Sequence, residues 1–103
     1  MSKVGRVIAE IVVVPLGTNS PSVSSYVAEV ERTLRKFNLK VRLTPMSTVL
    51  EGELDEVLNA TKAAHNCLFE KGVSRVTTSL KIDERRDKEL TMDGKVKAVE
   101  EKL

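Results

Sequence analysis

Apolar residues along the chain follow two periods, one typical of strands and one typical of helices. Residues 4–14 are β-branched and almost continuously apolar, as in a central strand covered on both faces. Residues 39–44 and 48–52 lie on either side of a Pro-Met-Ser corner at 45–47. Residues 74–83 alternate apolar and polar side chains. The pattern predicts four strands, the second and third of which form a hairpin.

Helical spacing predicts three helices. The first is predicted to have Ser20 as its N-cap and Pro21 as its first residue. The second is predicted at about 54–71, because Gly72 is a usual C-terminal stop. Its predicted inner face contains Leu54, Val57, Leu58, Thr61, Ala64, His65 and Leu68. A short last helix is predicted from a Thr91 cap and an apolar stripe of Met92, Val96, Val99 and Leu103.

The predicted order is strand–helix–strand–strand–helix–strand, followed by the C-terminal helix. Two interleaved strand–helix–strand units with right-handed crossovers give an α+β, ferredoxin-like βαββαβ sandwich. Its antiparallel four-stranded sheet carries two helices on one face, and the other face is expected to be open. The length predicts a single domain over residues 1–103.

The open face is predicted to mix apolar and acidic side chains. If Val7 and Ile11 point towards the helices, then Glu10, Glu51 and Ser79 become neighbours on the opposite face. The simplest interpretation is a solvated surface with two ion pairs, Arg42 with Glu51 and Glu10 with Lys81. The apolar residues beside them indicate instead partial burial by another subunit; they are Ile8, Val12, Val14 and Val49. A pocket at such a contact would suit a flat, partly cationic small molecule.

Composition argues against several classes of partner. Aromatic residues make up 3% of the chain, too few for the stacking platforms of single-stranded nucleic-acid binders, and basic and acidic residues are balanced in 84–102. Cys67 is the only cysteine, so no internal disulfide is possible. No signal peptide and no run of roughly 20 apolar residues is visible. We therefore expect a cytoplasmic protein that binds neither nucleic acid nor membrane.

Catalytic chemistry finds little support in the sequence. His65 and Cys67 are two residues apart on the second helix, so their side chains diverge and do not form a metal site. His65 is predicted to be a satisfied core or interface histidine, and Cys67 a half-buried thiol pointing away from the inner face. Glu10 and Glu51 lack an accompanying nucleophile or metal site. We expect no enzymatic activity, no metal and no cofactor.

Four segments together resemble the thiamine-binding protein family. They are VPLGT at 14–18, SPSVSSYVAEVER at 20–32, TPMSTVLEG at 44–52 and LKIDERRDKELTMDGKVKAVEEKL at 80–103. The resemblance covers almost the whole chain. Family members commonly have Gly at the hairpin corner where this chain has Ser47, a difference that changes the turn.

The resemblance implies a ferredoxin-like fold, assembly into homodimers or homotetramers, and non-catalytic binding of thiamine or its hydroxymethylpyrimidine moiety. Thiamine carries a thiazolium cation, which favours a carboxylate, and an aminopyrimidine, which favours a carboxylate or hydroxyl partner. Met46 is expected to pack on a ring. The predicted ligand-binding residues are Glu10, Thr44, Met46, Ser47, Thr48, Glu51 and Ser79.

Two alternatives remain open at this point. The pocket could instead lie between sheet and helices, lined by Tyr26, His65 and the corner itself. The protein could also be a regulatory or scaffolding oligomer that partners a metabolic enzyme without a ligand of its own. A nucleic-acid binder is disfavoured, because the open face lacks stacking aromatics.

Overall fold

A computed structural model describes residues 5–103 of the chain as a four-stranded antiparallel sheet with three helices. Its elements are β1 (Arg6–Leu16), α1 (Ser24–Leu34), β2 (Lys40–Leu43), β3 (Thr48–Glu53), α2 (Leu54–Glu70), β4 (Arg75–Asp83) and α3 (Met92–Glu100). The strand order is β2-β3-β1-β4. The ferredoxin-like prediction is confirmed. Position 4 of the predicted first strand lies outside the described residues, and β1 extends two residues beyond its predicted end.

The main core lies between the sheet and the helices α1 and α2. β1 pairs with β3 along one edge and with β4 along the other. Its alternate residues Val7, Ala9 and Ile11 are buried in this core, as the phase of the sequence predicts. The other buried members are Val30, Leu34, Leu50, Val57, Ala60, Ala64, Cys67, Leu68 and Val73.

The predicted inner face of α2 is wrong in two places. Leu58 is 45% exposed, whereas Cys67 is buried and its thiol donates to the Ala64 carbonyl at 3.1 Å. The buried stripe of α2 is rotated towards the small residues Ala60, Ala64 and Cys67. The same helix packs against α1. Burial also raises the pKa of the Cys67 thiol.

The helix ends follow local hydrogen bonding. α1 begins at Ser24, so the predicted Ser20 cap and Pro21 start are wrong. The Ser20 hydroxyl accepts from the Ser22 N–H at 3.1 Å and so closes a local turn before the helix. Gly72, with φ of +89°, follows α2 as predicted, because glycine adopts this left-handed conformation without strain. Thr91 caps α3 as predicted, its hydroxyl accepting from the Gly94 N–H at 3.0 Å.

The face of the sheet opposite α1 and α2 is not fully open, which corrects the prediction. The first turn of α3 docks there, and its Met92 N–H donates to Glu51 Oε1 at 2.6 Å. Ile8 and Met92 are 8% and 4% exposed, and both lie outside the main core. The stripe that continues along α3 remains exposed at Val96, Val99 and Leu103. Among the described residues, no helix has the length and apolar composition to cross a bilayer.

The core assignment predicts different costs for the same substitution at two leucines. Leu34→Ala removes a fully buried side chain and should lower the free energy of unfolding by about 2–5 kcal/mol. Leu58→Ala should lower it by about 1 kcal/mol or less, because 45% of that residue is exposed. Urea unfolding followed by circular dichroism measures both. Equal losses would contradict the orientation of α2 described above.

Candidate ligand-binding site

A cavity of about 260 Å³ lies where β1, the beginning of α1 and the β2–β3 corner meet. We call it the corner cavity. Its apolar walls come from Ile11, Val12, Val13, Val14, Pro15, Val23, Val27, Val30, Leu43, Pro45 and Met46. Its polar side chains are the hydroxyls of Thr44, Ser47 and Thr48. Apolar walls with a few placed polar groups are typical of small-molecule sites.

The corner is a turn closed by the Thr44 hydroxyl. Thr44 N–H and Thr44 Oγ1 both donate to the Ser47 carbonyl at 2.8 Å. Thr44 Oγ1 also accepts from the N–H groups of Ser47, at 3.0 Å, and Met46, at 3.3 Å. Among the described residues only glycines have positive φ, so Ser47 fits this turn without backbone strain. The Met46 side chain is 85% exposed at the rim of the cavity.

Each of the other two hydroxyls of the corner cavity donates a hydrogen bond to a carboxylate. Ser47 Oγ donates to Glu10 Oε2 at 2.8 Å, and Thr48 Oγ1 donates to Glu31 Oε2 at 2.5 Å. Glu31 is 7% exposed and also accepts from the Arg35 guanidinium at 3.3 Å. A buried carboxylate needs such partners, because removing a charge from water is costly.

Glu31 is the functional candidate that the sequence reasoning missed. A signal for it exists, because Val27, Val30, Glu31 and Leu34 have the i, i+3, i+4, i+7 spacing of a buried helix face. An acidic residue inside such a stripe indicates a buried charge with a dedicated partner. The partner, Thr48, is on β3 and is not visible from the local pattern of α1.

The predicted site residues fall into two groups. Thr44, Met46, Ser47 and Thr48 line the corner cavity, and Glu10 reaches it through Ser47. Glu51 lies on the same sheet face as Glu10, since Glu10 is opposite Val49 and Glu51 is two residues further along β3.

The remaining predicted residues lie away from the corner cavity. The Glu51 carboxylate is occupied by the first turn of α3. Ser79 is exposed on β4, opposite Val12. Neither Glu51 nor Ser79 is among the residues that line the cavity, and the assignment of all these residues to a ligand stays a prediction.

The corner cavity lies partly where the alternative pocket was predicted, between the sheet and a helix, because Val27 and Val30 of α1 line it together with the corner. Tyr26 packs against the core, and His65 Nδ1 lies 2.7 Å from Thr78 Oγ1 with its ring edge-on to Phe69. Neither Tyr26 nor His65 lines the corner cavity. His65 has the satisfied environment predicted for it. No group of His, Cys, Asp and Glu side chains among residues 5–103 is arranged to hold a metal ion.

The predicted ion pair between Arg42 and Glu51 is wrong. Arg42 is opposite Val49 in the hairpin register, and its guanidinium pairs instead with Asp93 of α3 at 2.6 Å. Lys40 Nζ contacts the same carboxylate at 2.9 Å. Hydrogen bonds from Arg42 and Lys40 lower the pKa of Asp93 from 3.8 to about 2.

A second, shallower groove lies on the sheet face beside α3. It has a volume of about 390 Å³ and includes Ile8, Glu10, Val49, Lys81 and Lys95. Asp83 also lines this groove and pairs with Lys95, so the charges of the two lysines are balanced by Glu10 and Asp83 and the groove offers an organic cation no net attraction. The Lys81 side chain is not paired with Glu10 as the sequence predicts; Glu10 accepts from Ser47 instead.

These features define a small ferredoxin-like domain whose cavity, beside the β2–β3 corner, has apolar walls and three hydroxyl groups. The sequence model of the thiamine-binding protein family matches residues 9–100, and the chain belongs to this family. A UPF0045 protein of Staphylococcus xylosus is 45% identical over 93% of this chain and 94% of its own length. A UPF0045 protein of Methanocaldococcus jannaschii is 49% identical over 93% of this chain and 94% of its own length.

Solved structures agree with the fold. A hypothetical protein of Methanocaldococcus jannaschii superposes with a TM-score of 0.88 at 48% identity, over 94% of this chain and 98% of that one. A candidate thiamine biosynthesis/salvage protein of Thermotoga maritima has a TM-score of 0.77 at 22% identity, over 91% of this chain and 98% of that one. The Thermotoga likeness concerns the fold alone.

The Asp93 pairs predict an acid-sensitive contact between α3 and the sheet. Because the folded-state pKa is lower than the ordinary value, ionised Asp93 stabilises the docked helix above about pH 4, and this contribution is lost as the pH falls to about 2. Asp93→Asn should therefore lower the denaturation midpoint at pH 7 and make little difference at pH 2. Glu100→Gln, at the far end of α3, is the matched control. A difference that is equally large at both pH values would contradict this account.

Proposed function

We propose that the protein binds thiamine, or its hydroxymethylpyrimidine moiety, in the corner cavity and performs no chemistry on it. The observation that carries the proposal is the cavity itself, whose apolar walls and carboxylate-backed hydroxyls occur in a chain of the thiamine-binding family. Apolar walls suit the faces of a heteroaromatic ring, and the hydroxyls suit its polar edge.

The volume of the cavity favours one ring over two. About 260 Å³ lies just below the usual range of drug-sized sites, roughly 300–1,000 Å³. We therefore assign the pyrimidine to the cavity and the thiazolium to its mouth. Glu10, which is exposed beside Ser47, supplies the negative charge there, and the exposed Met46 thioether packs on a ring face.

We further propose that the protein assembles with copies of itself. The α3 stripe leaves Val96, Val99 and Leu103 between 51% and 98% exposed, and the rim of the corner cavity leaves Leu43 and Met46 exposed as well. Apolar side chains grouped in this way gain free energy when another surface removes them from water. A second copy of the chain in contact with the α3 stripe is the proposed partner.

A second candidate function keeps the oligomer but not the ligand. The same exposed α3 stripe could instead contact a metabolic enzyme, which would make the protein a regulatory or scaffolding subunit. Titration with small molecules separates the two candidates, since only the first requires a saturable ligand.

Isothermal titration with thiamine, hydroxymethylpyrimidine and pyridoxal tests the binding proposal. We expect saturable heats for the first two ligands and weaker or no binding of pyridoxal. Glu10→Gln should weaken thiamine by about two- to fivefold, the range of a partly exposed ion pair, and leave hydroxymethylpyrimidine less affected because it lacks the thiazolium. Absence of saturable heat at millimolar thiamine and hydroxymethylpyrimidine would refute the proposal.

Glu51→Gln locates the site in the same titrations. The Glu51 carboxylate accepts from α3 and not from the cavity wall, and glutamine retains an oxygen that accepts the same bond. Binding in the corner cavity therefore predicts no change, whereas a large loss would move the site to the sheet face beneath α3. Glu100→Gln again serves as the control for the loss of one charge.

Multi-angle light scattering tests the assembly. We expect a mass of at least twice the 11.4 kDa of one chain, and Val99→Glu should reduce it by placing a charge in the α3 contact. A wild-type particle of 11.4 kDa would rule the assembly out.

A further inference from the structure

The hydroxyls of the corner cavity all have their hydrogen atoms committed to the protein. Thr44 Oγ1 donates to the Ser47 carbonyl at 2.8 Å. Ser47 Oγ donates to Glu10 at 2.8 Å, and Thr48 Oγ1 donates to Glu31 at 2.5 Å. A hydroxyl has one hydrogen and two lone pairs, so each group can only accept from anything else that approaches.

The two carboxylates are what fix this direction. An ionised carboxylate accepts hydrogen bonds and donates none, so neither Glu10 nor Glu31 permits the reverse arrangement. Thr44 already accepts from two backbone N–H groups, and its Oγ1 also lies 3.3 Å from Ser47 Oγ, so the acceptors left for a ligand are Thr48 and the remaining lone pair of Ser47. The other side chains that line the cavity are apolar.

We propose that Glu10 and Glu31 set the hydrogen-bond polarity of the corner cavity, so that it selects ligands that present N–H donors to Ser47 and Thr48. This inference rests on the proposed function and names the recognised group as the amino edge of the pyrimidine. Glu31 acts through Thr48 and is a positioning residue. In a ligand with a carbonyl in place of the amino group, the lone pairs of the carbonyl oxygen would point at the lone pairs of the Ser47 and Thr48 hydroxyls. These buried acceptors would then remain unpaired.

Thiamine and oxythiamine provide the matched pair of probes. They differ at the pyrimidine, where the amino group of thiamine is replaced by an oxo group and the adjacent ring nitrogen changes from an acceptor to an N–H donor. Both retain the thiazolium, so its interaction with Glu10 cancels in the ratio of affinities. Isothermal titration of the wild-type protein should give about 10- to 100-fold tighter binding of thiamine, as expected for one unpaired buried polar group.

Glu31→Gln tests the role of the buried carboxylate. The glutamine amide can donate to Thr48 Oγ1, which frees the Thr48 hydrogen to point into the cavity and to meet a carbonyl. The ratio of thiamine to oxythiamine affinity should then fall towards one. Glu29→Gln is the control on the same helix, because Glu29 pairs with Arg32 and Lys71, and neither it nor these partners line the cavity; it should leave the ratio unchanged.

The outcomes separate this inference from the proposed function. Equal binding of thiamine and oxythiamine by the wild-type protein would overturn the polarity inference and leave thiamine binding intact, whereas binding of neither would overturn both. An unchanged ratio in folded Glu31→Gln would remove Glu31 from the explanation. If Glu31→Gln does not fold, Glu10→Gln replaces it, because Glu10 is the exposed carboxylate that accepts from Ser47. An unchanged ratio of thiamine to oxythiamine affinity in Glu10→Gln counts equally against the proposal.

Discussion

The pairing of β1 along both of its edges is the interaction on which the rest of the structure depends. It fixes which β1 side chains enter the main core and which point to the opposite face. A shift of one residue would exchange Ile11 with Glu10 and would place a carboxylate in the core. The same pairing brings the middle of β1 beside the hairpin corner, where Glu10 meets Ser47 and the corner cavity opens.

Apolar runs and turn residues were sufficient to predict the sheet, because the continuous β-branched run of β1, the period-two alternation of β4 and the stop at Gly72 are all local signals. Helix orientation and helix starts were less predictable. The inner face of α2 depends on close packing against α1, which favours small residues over Leu58, and the start of α1 depends on a turn that uses the Ser20 hydroxyl. Both are outcomes of competition between local and tertiary contacts.

The candidate site likewise combines residues that local sequence identifies with residues that only tertiary contacts bring together. The residues of the corner are contiguous in the chain, so Thr44, Ser47 and Thr48 can be grouped from the amino-acid sequence alone. Glu31 cannot be paired with Thr48 in this way, because that contact joins α1 to β3. The docking of α3 likewise redirects Glu51 and Arg42 to partners about 40 to 50 residues away in the chain.

The turn closed by Thr44 has a consequence for the energetics of recognition. A wall built from a hydrogen-bonded corner is preorganised, so an incoming molecule does not have to order a mobile loop at about 1–2 kcal/mol of conformational entropy per residue. Affinity is then governed by the desolvation and complementarity of the contacts themselves. Substitutions in this corner would therefore change the dissociation rate of a bound ligand more than its association rate.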